Sequence, residues 1–341
     1  DGGGIRGLSE LLIIREVMHQ LMFEENKRRK KDGEEPLSVL PKPCSYFDLI
    51  GGTSTGGIIA LMLGRLRMDI DTAIKNYDDL AKRVFSAPKR WGDGKFKATT
   101  LETAIKSVVK AVTHDSESPL LEDDQAGLCR TFISFVCAKN AHDTGIPVLF
   151  RTYQSRETHF NCKIWEAARA TSAAPTFFKR IEIGRGQPYI DGGLGRNNPS
   201  QVVLEEANGL FGARQIGCLV SIGAGEAGVI EIKKPGLCQR YIPTDIIDTL
   251  EAITTDCEST HQNMLRHFTN LPNTYFRINV DQGMQKIKLS KWEKLSNVEA
   301  YTSQYMKKVE VAEKLALLVS AIRVPKGQLL LEQLSMEESL I

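Results

Sequence analysis

The composition of the 341-residue chain is that of a globular protein, with 42% hydrophobic and 25% charged residues, which excludes a disordered or low-complexity chain. Its 44 basic and 42 acidic residues leave a net charge of +2, so no general electrostatic attraction to nucleic acid is expected. The longest strictly apolar run, residues 58–63, is far shorter than the roughly 20 residues of a membrane-spanning helix. Any contact with a membrane is therefore expected to be peripheral.

The cysteines and the first residues bear on the setting of the chain. Seven cysteines occur without a C-x-x-C pair or a regular spacing, which favours a reduced compartment, and we expect the cytoplasm. The chain begins with Asp-Gly-Gly-Gly, and no strand precedes this glycine-rich turn. We therefore expect it to be part of a longer, multidomain protein.

The pattern of apolar residues predicts helices and strands in alternation. Residues 8–22 have helical spacing, and the charged residues 27–31 are interpreted as a solvated loop, with contact to an anionic surface as the alternative. The further predicted elements are strands at 46–52, 130–137, 147–153, 216–222 and 275–280, and helices at 55–64, within 69–113, at 165–174 and at 298–322. This order predicts an α/β protein whose largely parallel sheet is covered on both faces.

The strongest local signal is Gly-Thr-Ser-Thr-Gly at residues 52–56, between a predicted strand and an apolar helix predicted to end at Gly64. A serine nucleophile on a sharp strand-to-helix turn needs small residues two positions before and after it, because side chains there would collide with neighbouring backbone. The helix N-terminus also favours developing negative charge. We therefore interpret Ser54 as a nucleophile, with a structural glycine turn as the alternative.

The glycine-rich residues 1–7 allow three interpretations. Residues 2–7 match the dinucleotide fingerprint G-x-G-x-x-G, with Glu24 or Glu25 near the spacing of a ribose-binding acid. A basic run follows those acids, however, so the second strand of a βαβ unit is missing. The same glycines can instead turn backbone N–H groups toward one point and form an oxyanion hole, in which a donor is worth roughly 3–4 kcal/mol. The third interpretation is a tight turn that caps the first helix.

A further motif, Asp-Gly-Gly at residues 191–193, follows an apolar pair, which predicts an acid exposed on a turn at the end of a strand. An ordinary Asx turn explains the pattern about as well. A triad of Ser54, Asp191 and either His261 or His267 would follow the conventional order of serine, aspartate and histidine along the chain. Both histidines, however, lie on a polar stretch that is predicted to be helical and is typical of a solvated surface. The sequence has no zinc, P-loop or EF-hand pattern, so neither a metal nor a cofactor is expected.

The ordered motifs D-G-G-G-x-R-G, G-T-S-T-G and D-G-G together resemble the patatin-like phospholipase family, as does the small-residue helix at 167–175. The resemblance covers about residues 1–225, whereas residues 226–341 match diffusely and end in the long predicted helix. It implies a three-layer α/β/α sandwich with a mostly parallel central sheet. We expect one domain over residues 1–341, with 225–243 as the weakest candidate boundary, and the family's first strand is not in the chain.

The resemblance also assigns roles. Ser54 would be the nucleophile and Asp191 its direct base, in a serine–aspartate dyad without histidine. The oxyanion-hole segment, in which three glycine N–H groups donate and the arginine orients the loop, would comprise Gly2, Gly3, Gly4, Arg6 and Gly7. The turn around the nucleophile would comprise Gly52, Thr53, Thr55 and Gly56, and the motif of the base would be completed by Gly192 and Gly193.

The implied activity is a calcium-independent lipid acyl hydrolase of the phospholipase A type, which cleaves fatty-acid esters of glycerophospholipids or related acyl lipids through an acyl-enzyme on Ser54. Acyl transfer to an alcohol stays open, as do an α/β-hydrolase triad and a non-catalytic nucleotide-binding or scaffold module that uses residues 2–7. The implied partners are a lipid substrate and, transiently, a membrane surface, without nucleic acid. Residues around 84–91 are candidates for lipid contact unless they pack in the core.

Overall fold

The computed structural model describes residues 1–89, 91, 94–123, 127–137, 148–155, 161–193, 197–226, 257–324 and 330–331. Its helices are α1 Leu8–Asp32, α2 Thr55–Ala60, α3 Ile70–Phe85, α4 Ala98–Thr113, α5 Ile164–Thr171, α6 Ser200–Phe211, α7 Glu258–His267, α8 Leu295–Met306 and α9 Val309–Arg323. Its strands are β1 Leu49–Thr53, β2 Arg130–Cys137, β3 Val148–Arg151, β4 Ile181–Ile183, β5 Gln187–Asp191, β6 Leu219–Ile222 and β7 Tyr275–Ile278. Short helical turns lie at Gly4–Gly7, Pro43–Ser45, Leu61–Arg65, Met284–Lys286 and Trp292–Lys294.

The strands form a five-stranded sheet and a separate pair. The larger sheet has the order β1-β2-β5-β4, and β3 also pairs with β2. Strands β1 and β2 run parallel, whereas β2–β3, β2–β5 and β4–β5 are antiparallel. Strands β6 and β7 form the parallel pair. The α/β class is thus as predicted, and only the mostly parallel character of the central sheet needs correction.

Connection lengths explain this correction. A crossover between parallel strands takes a dozen or more residues, whereas a short connection returns the chain antiparallel. Only three residues separate β4 from β5, and ten separate β2 from β3. The pattern of apolar residues predicts the presence of a strand but carries little information about its direction.

Helices cover the larger sheet on both faces, as two adjacent glycines of β1 show. A Cβ atom on Gly51 would meet the side chain of Val203 in α6, whereas one on Gly52 would meet the backbone of Gly56 in α2. Because successive strand residues point to opposite faces, α6 and α2 lie on opposite sides of β1. The arrangement is the helix–sheet–helix sandwich that the sequence predicts.

The hydrophobic core is divided in a matching way. The larger cluster joins residues of α1 through α5 with α8 and α9, including the fully buried Leu11, Ile70, Ile133 and Leu318. A smaller cluster lies where α6, α7 and β6 meet and consists of Leu204, Ile216, Leu219, Met264, Phe268, Leu271 and Leu331. Residues beyond position 225 therefore contribute to both apolar clusters.

Helix α1 is longer than its apolar pattern predicts. The charged residues 27–31 are helical rather than a loop, and the helix ends at Gly33, whose φ of +73° is easily adopted without a side chain. Arg28 pairs with Glu25 and with Asp32, three and four positions away on the same helix face. Such pairs support an exposed helical end that has few apolar contacts.

Two further predicted helix boundaries are wrong. Gly64 does not end the helix, because a π-helical turn continues to Arg65; a Cβ on Gly64 would lie 2.1 Å from Thr131 Oγ1, so the glycine permits close packing on β2. The helix predicted over 298–322 is two helices, α8 and α9, which are separated at Lys308. That residue has an extended backbone and its ammonium pairs with the Asp281 carboxylate.

The predicted lipid-contact segment at 84–91 is divided between core and surface. Val84 is buried in the larger apolar cluster, whereas Trp91 is 91% exposed. Most of the candidate boundary at 225–243 lies outside the described residues. Within the described part of the chain, no helix has the length and apolar character needed to cross a membrane.

A cavity of about 350 Å³ lies between the outer edges of β1 and β6. Ile50 and Gly51 line one side of the cavity and residues 217–222 line the other, and residues of α2 and α6 complete its lining. Among the described residues, no strand pairs with either of these edges. The cavity therefore lies beside strand edges that have no strand partner in the described part of the chain. Ser54 and Asp191 are not among its lining residues.

Candidate active site

Ser54 lies at the sharp turn between β1 and α2. Its backbone dihedrals, φ 54° and ψ −124°, are rare for a residue with a side chain and store strain. A Cβ on Gly52 would approach the Gly56 carbonyl oxygen to 2.2 Å, and a Cβ on Gly56 would approach the Asp1 carbonyl oxygen to 2.3 Å. The glycines on either side of Ser54 are therefore required by close backbone packing, as the motif predicts.

The Ser54 hydroxyl contacts a carboxylate directly. Its Oγ donates a 2.6 Å hydrogen bond to Asp191 Oδ2, and Asp191 Oδ1 accepts the backbone N–H of Gly193 at 2.8 Å. Asp191 is the last residue of β5, as predicted, but it is buried, with 4% exposure, rather than exposed on a turn. The prediction of exposure is wrong because the turn folds beneath the Ser54 elbow.

Burial changes the proton affinity of this carboxylate. Desolvation raises the pKa of Asp191 from 3.8 to about 6, and the hydrogen bonds from Ser54 and the Gly193 amide oppose that rise. A carboxylate with a pKa near neutrality is a stronger base than an ordinary aspartate and is still ionised at pH 7.

The backbone of both residues is held by the end of α5. The Ser54 N–H donates to Thr171 Oγ1 at 2.7 Å, and the same hydroxyl donates to the Ser134 carbonyl at 2.9 Å. The Asp191 N–H donates to the Ala173 carbonyl at 3.2 Å. The family resemblance includes this segment but assigns no role to Thr171. The feature of the sequence that could have indicated a role is a hydroxyl side chain in a segment rich in alanine.

The glycine loop lies beside the elbow and is held by two side chains. The Gly2 N–H donates to Asn197 Oδ1 and Asn197 Nδ2 donates back to the Gly2 carbonyl, both at 3.0 Å. The Gly3 N–H donates to Thr55 Oγ1 at 3.0 Å. Two of the three predicted oxyanion donors thus have side-chain acceptors in this structure. Asn197 was present in the sequence motif after Asp191, but no role was predicted for it.

The rest of the predicted loop residues lie in the same place. Gly4 has a φ of +55°, and a Cβ there would collide with the Leu289 carbonyl; its own carbonyl accepts the Tyr77 hydroxyl. The Arg6 side chain is buried and its Nε lies 3.5 Å from the Gly3 carbonyl. A Cβ on Gly7 would lie 2.5 Å from the Tyr77 hydroxyl. The loop is therefore packed against surrounding groups on several sides.

Two residues from the later part of the chain complete this packing. Arg277 in β7 forms a buried 2.6 Å ion pair with Asp1, the first residue of the glycine motif. The Leu289 carbonyl accepts the Ile5 N–H at 2.8 Å. Neither contact was predicted, because both residues lie in the region where the family resemblance is diffuse.

Two more motif residues bring the strands together. Thr53 is buried at the end of β1, opposite Ser134 of β2. A Cβ on Gly192 would lie 2.7 Å from the Ser134 carbonyl oxygen, so this glycine allows the Asp191 turn to approach β2 closely. All the predicted site residues therefore lie in or next to one compact region.

The alternative histidine and nucleotide residues have other partners. The His261 ring contacts the Tyr275 hydroxyl at 3.0 Å, and His267 stacks edge-on against Phe268. Glu25 pairs with Arg28, and Glu24 pairs with an arginine of α9. In the described part of the chain, no group of three or more His, Cys, Asp or Glu side chains could hold a metal ion.

The family model that describes patatin-like phospholipases matches residues 1–204, the region that carries all three motifs. The chain belongs to the patatin-like phospholipase family.

Curated relatives agree with this membership. Calcium-independent phospholipase A2-gamma of Oryctolagus cuniculus is 27% identical over 328 residues, which are 91% of this chain and 38% of the relative. The Homo sapiens protein of that name is 28% identical over 82% of this chain and 34% of its own length. A cGAMP-activated phospholipase of Escherichia coli is 32% identical over 60% of this chain and 54% of its own. The chain thus spans little more than a third of the first two relatives.

Among solved structures, VipD from Legionella pneumophila matches with a TM-score of 0.42 at 12% identity, over 94% of this chain and 66% of that one.

Proposed function

We propose that the chain is a serine acyl hydrolase that cleaves fatty-acid esters of glycerophospholipids or related acyl lipids. The observation that carries the proposal is the 2.6 Å hydrogen bond from the Ser54 hydroxyl to the buried Asp191 carboxylate. The membership of a phospholipase family supports the lipid substrate class. The relatives named as calcium-independent phospholipases support activity without calcium.

The proposed reaction proceeds through an acyl-enzyme. Ser54 Oγ attacks the ester carbonyl carbon while its proton moves to Asp191 Oδ2. The tetrahedral intermediate then expels the lysophospholipid alkoxide, which takes that proton, and the acyl group stays on Ser54. Water attacks the acyl-enzyme carbonyl while Asp191 Oδ2 accepts a proton from it. Collapse of the second tetrahedral intermediate breaks the bond to Ser54 Oγ, which takes that proton back, and the fatty acid leaves. General-base assistance of this kind contributes about 10²–10⁴-fold.

We further propose that the glycine loop stabilises the oxyanion. The Gly3 N–H meets the Thr55 hydroxyl, which lies one residue after the nucleophile. When substrate binds, its carbonyl oxygen would replace that hydroxyl as the acceptor, and the Gly4 N–H would add a second donor. Because the oxygen gains negative charge only in the transition state, the exchange favours the transition state over bound substrate.

We also propose that residues 1–341 act as one domain in the cytoplasm and contact lipid surfaces transiently. The ion pair of Asp1 with Arg277 and the bond from Ile5 to Leu289 support a single domain, because they link the glycine loop to residues beyond position 225. The exposed Trp91 is a candidate for surface contact, since indole rings favour the interface of a bilayer. Acyl transfer to an alcohol instead of water is compatible with the same acyl-enzyme.

Four variants test the proposal. Ser54→Ala and Asp191→Asn are expected to abolish fatty-acid release from phosphatidylcholine vesicles and from a soluble nitrophenyl ester. The matched controls His261→Ala and His267→Ala should retain activity, because the His261 ring contacts Tyr275 and the His267 ring packs against Phe268, and neither ring touches the dyad in the part of the chain that the structure describes. Loss of activity in a folded histidine variant would favour a histidine triad instead.

A fluorophosphonate probe separates an enzyme from a binding module. The probe reacts with an activated serine, so the wild-type chain should be labelled at Ser54 and the Ser54→Ala variant should not. A folded wild-type chain that resists labelling would contradict the proposal and favour a non-catalytic nucleotide-binding or scaffold role for residues 2–7.

A further inference from the structure

The C-terminal end of α5 contacts the backbone of both dyad residues. Thr171 accepts the Ser54 N–H through its side chain, and Ala173, two positions later, accepts the Asp191 N–H through its carbonyl. We propose that residues 171–173 set the distance between the nucleophile and its base, and that Thr171 is a positioning residue for the reaction. This inference rests on the proposed function of Ser54 and Asp191.

The Thr171 hydroxyl has only one orientation that satisfies its partners. Its proton goes to the Ser134 carbonyl at 2.9 Å, which leaves a lone pair for the Ser54 N–H at 2.7 Å. The side chain is fully buried, so water does not replace either bond. A hydroxyl with both bonds fixed holds the nucleophile backbone at a defined place.

The second link leads from Thr171 to the base. Ser134 precedes Phe135 in β2, and Phe135 pairs with Asp191 across the β2–β5 ladder. The Thr171 side chain therefore connects the backbone of Ser54 to β2, and β2 is the strand with which Asp191 pairs. The Ala173 carbonyl adds a second contact, because it accepts the Asp191 N–H.

The strain at Ser54 gives this link its importance. A residue with a side chain in such a backbone conformation is strained, and it persists only when its surroundings hold it. Gly57 contributes space for the link, because a Cβ there would lie 2.9 Å from Thr171 Oγ1. Without the hydroxyl, the Ser54 N–H and the Ser134 carbonyl would both lose a partner, and relaxation of the elbow would move Oγ relative to Asp191.

Two substitutions separate the hydroxyl from the shape of the side chain. Thr171→Val keeps the branched shape and removes both hydrogen bonds, whereas Thr171→Ser keeps the hydroxyl and removes only a methyl group. Because a displacement of about 1 Å in a reacting group can cost about 100-fold in rate, we expect Thr171→Val to lower kcat on a soluble nitrophenyl ester 10- to 100-fold. KM should change less than threefold, and Thr171→Ser should stay within about threefold of wild type.

The rate per active site distinguishes positioning from general destabilisation. Exhaustive fluorophosphonate labelling counts the folded, competent sites, and the labelling rate constant reports how well Ser54 is activated. Thr171→Val should reach nearly full labelling with a rate constant at least tenfold below wild type. The matched control is Thr302→Val in α8, which removes another fully buried threonine hydroxyl, one that donates only to its own helix. That variant should lose stability but keep its rate constant.

The outcomes distinguish this inference from the proposed function. If the wild-type chain is not labelled at Ser54, the proposed function fails. If the wild type is labelled and Thr171→Val reacts equally fast per site, the positioning role is refuted while the function stands. Should the valine variant not fold, Thr171→Cys is measured in the same way, because a thiol is a weak donor and acceptor of similar size; an unchanged rate constant there also refutes the role.

Discussion

Replacing Asp191 with asparagine is expected to abolish catalysis and at the same time to stabilise the fold at neutral pH. Asparagine has nearly the same shape as aspartate. Its amide oxygen can accept the Gly193 N–H and its amide nitrogen can donate to Ser54 Oγ, so both contacts that the carboxylate now makes are kept. The substitution therefore removes mainly the buried negative charge. An uncharged amide cannot take the serine proton, so activity is lost.

The magnitude follows from the pKa of the carboxyl. Burial raises the pKa of Asp191 from 3.8 to about 6, and at 1.36 kcal/mol per pH unit this rise corresponds to a destabilisation of about 3 kcal/mol when the group is ionised. The native state holds the proton more tightly than the unfolded chain. Wild-type stability contributed by this group is therefore lost as pH rises from about 4 through 6. The asparagine variant has no such titration.

The assay compares urea unfolding of both proteins at pH 4.5 and 7.5. All other titrating groups are shared, so they cancel in the difference between the two proteins. The stability of Asp191→Asn relative to wild type should be about 2 kcal/mol more favourable at pH 7.5 than at pH 4.5, since part of the wild-type carboxyl is already ionised in the unfolded chain at the lower pH. An equal difference at the two pH values would refute the reasoning that burial raises this pKa.

Three further predictions concern the base and the backbone around the dyad. Below pH 6 the logarithm of kcat/KM of the wild type on a soluble ester should rise with pH at unit slope, because only the ionised Asp191 accepts the serine proton; a flat profile from pH 5 to 7 would contradict this. Gly52→Ala should prevent the elbow from forming, since its Cβ would lie 2.2 Å from a backbone oxygen, whereas Gly209→Ala, at an open, exposed position of α6, should be tolerated or slightly stabilising by thermal unfolding. Asn197→Ala removes two hydrogen bonds to Gly2 and is expected to lower the free energy of unfolding by about 2 kcal/mol in urea, an effect that should be absent if the glycine loop holds its position alone.

The motif residues were predictable because each answers a local requirement. Gly52 and Gly56 are needed wherever a strand turns sharply into a helix, and the structure shows the backbone contacts that exclude larger residues there. The first part of helix α1, strand β2 and the helical character of residues 69–113 followed from short apolar patterns for the same reason. Such local packing requirements can be recognised from short stretches of sequence.

Features that depend on distant partners were not predictable. The contacts of Asn197 with Gly2 and of Arg277 with Asp1 join positions 195 and 276 residues apart. No spacing rule links such residues. The direction of β5 failed for a related reason, because β5 pairs antiparallel with β2, which does not directly precede it in the chain. The short connection between β2 and β3, by contrast, is visible in the sequence and indicates their antiparallel pairing.

The burial of Asp191 was missed because the motif suggests the opposite. An acid followed by two glycines is typical of an exposed turn, and only the fold shows that this turn lies beneath the elbow. The buried carboxyl, 4% exposed, is also the feature that raises the pKa toward neutrality. The property most important for the base that we propose is thus one that the local sequence does not show.

Both dyad residues destabilise the protein that holds them. The backbone of Ser54 is strained at a cost on the order of 1–3 kcal/mol, and the buried charge of Asp191 costs about 3 kcal/mol. Together these terms are a large share of the 5–15 kcal/mol by which a domain is usually stable. The arrangement persists only if contacts elsewhere offset it, and those contacts come from α5, from Asn197 and from Arg277 in β7. The site therefore depends on described residues beyond position 225, and residues 1–225 hold its motifs without holding all of its supports.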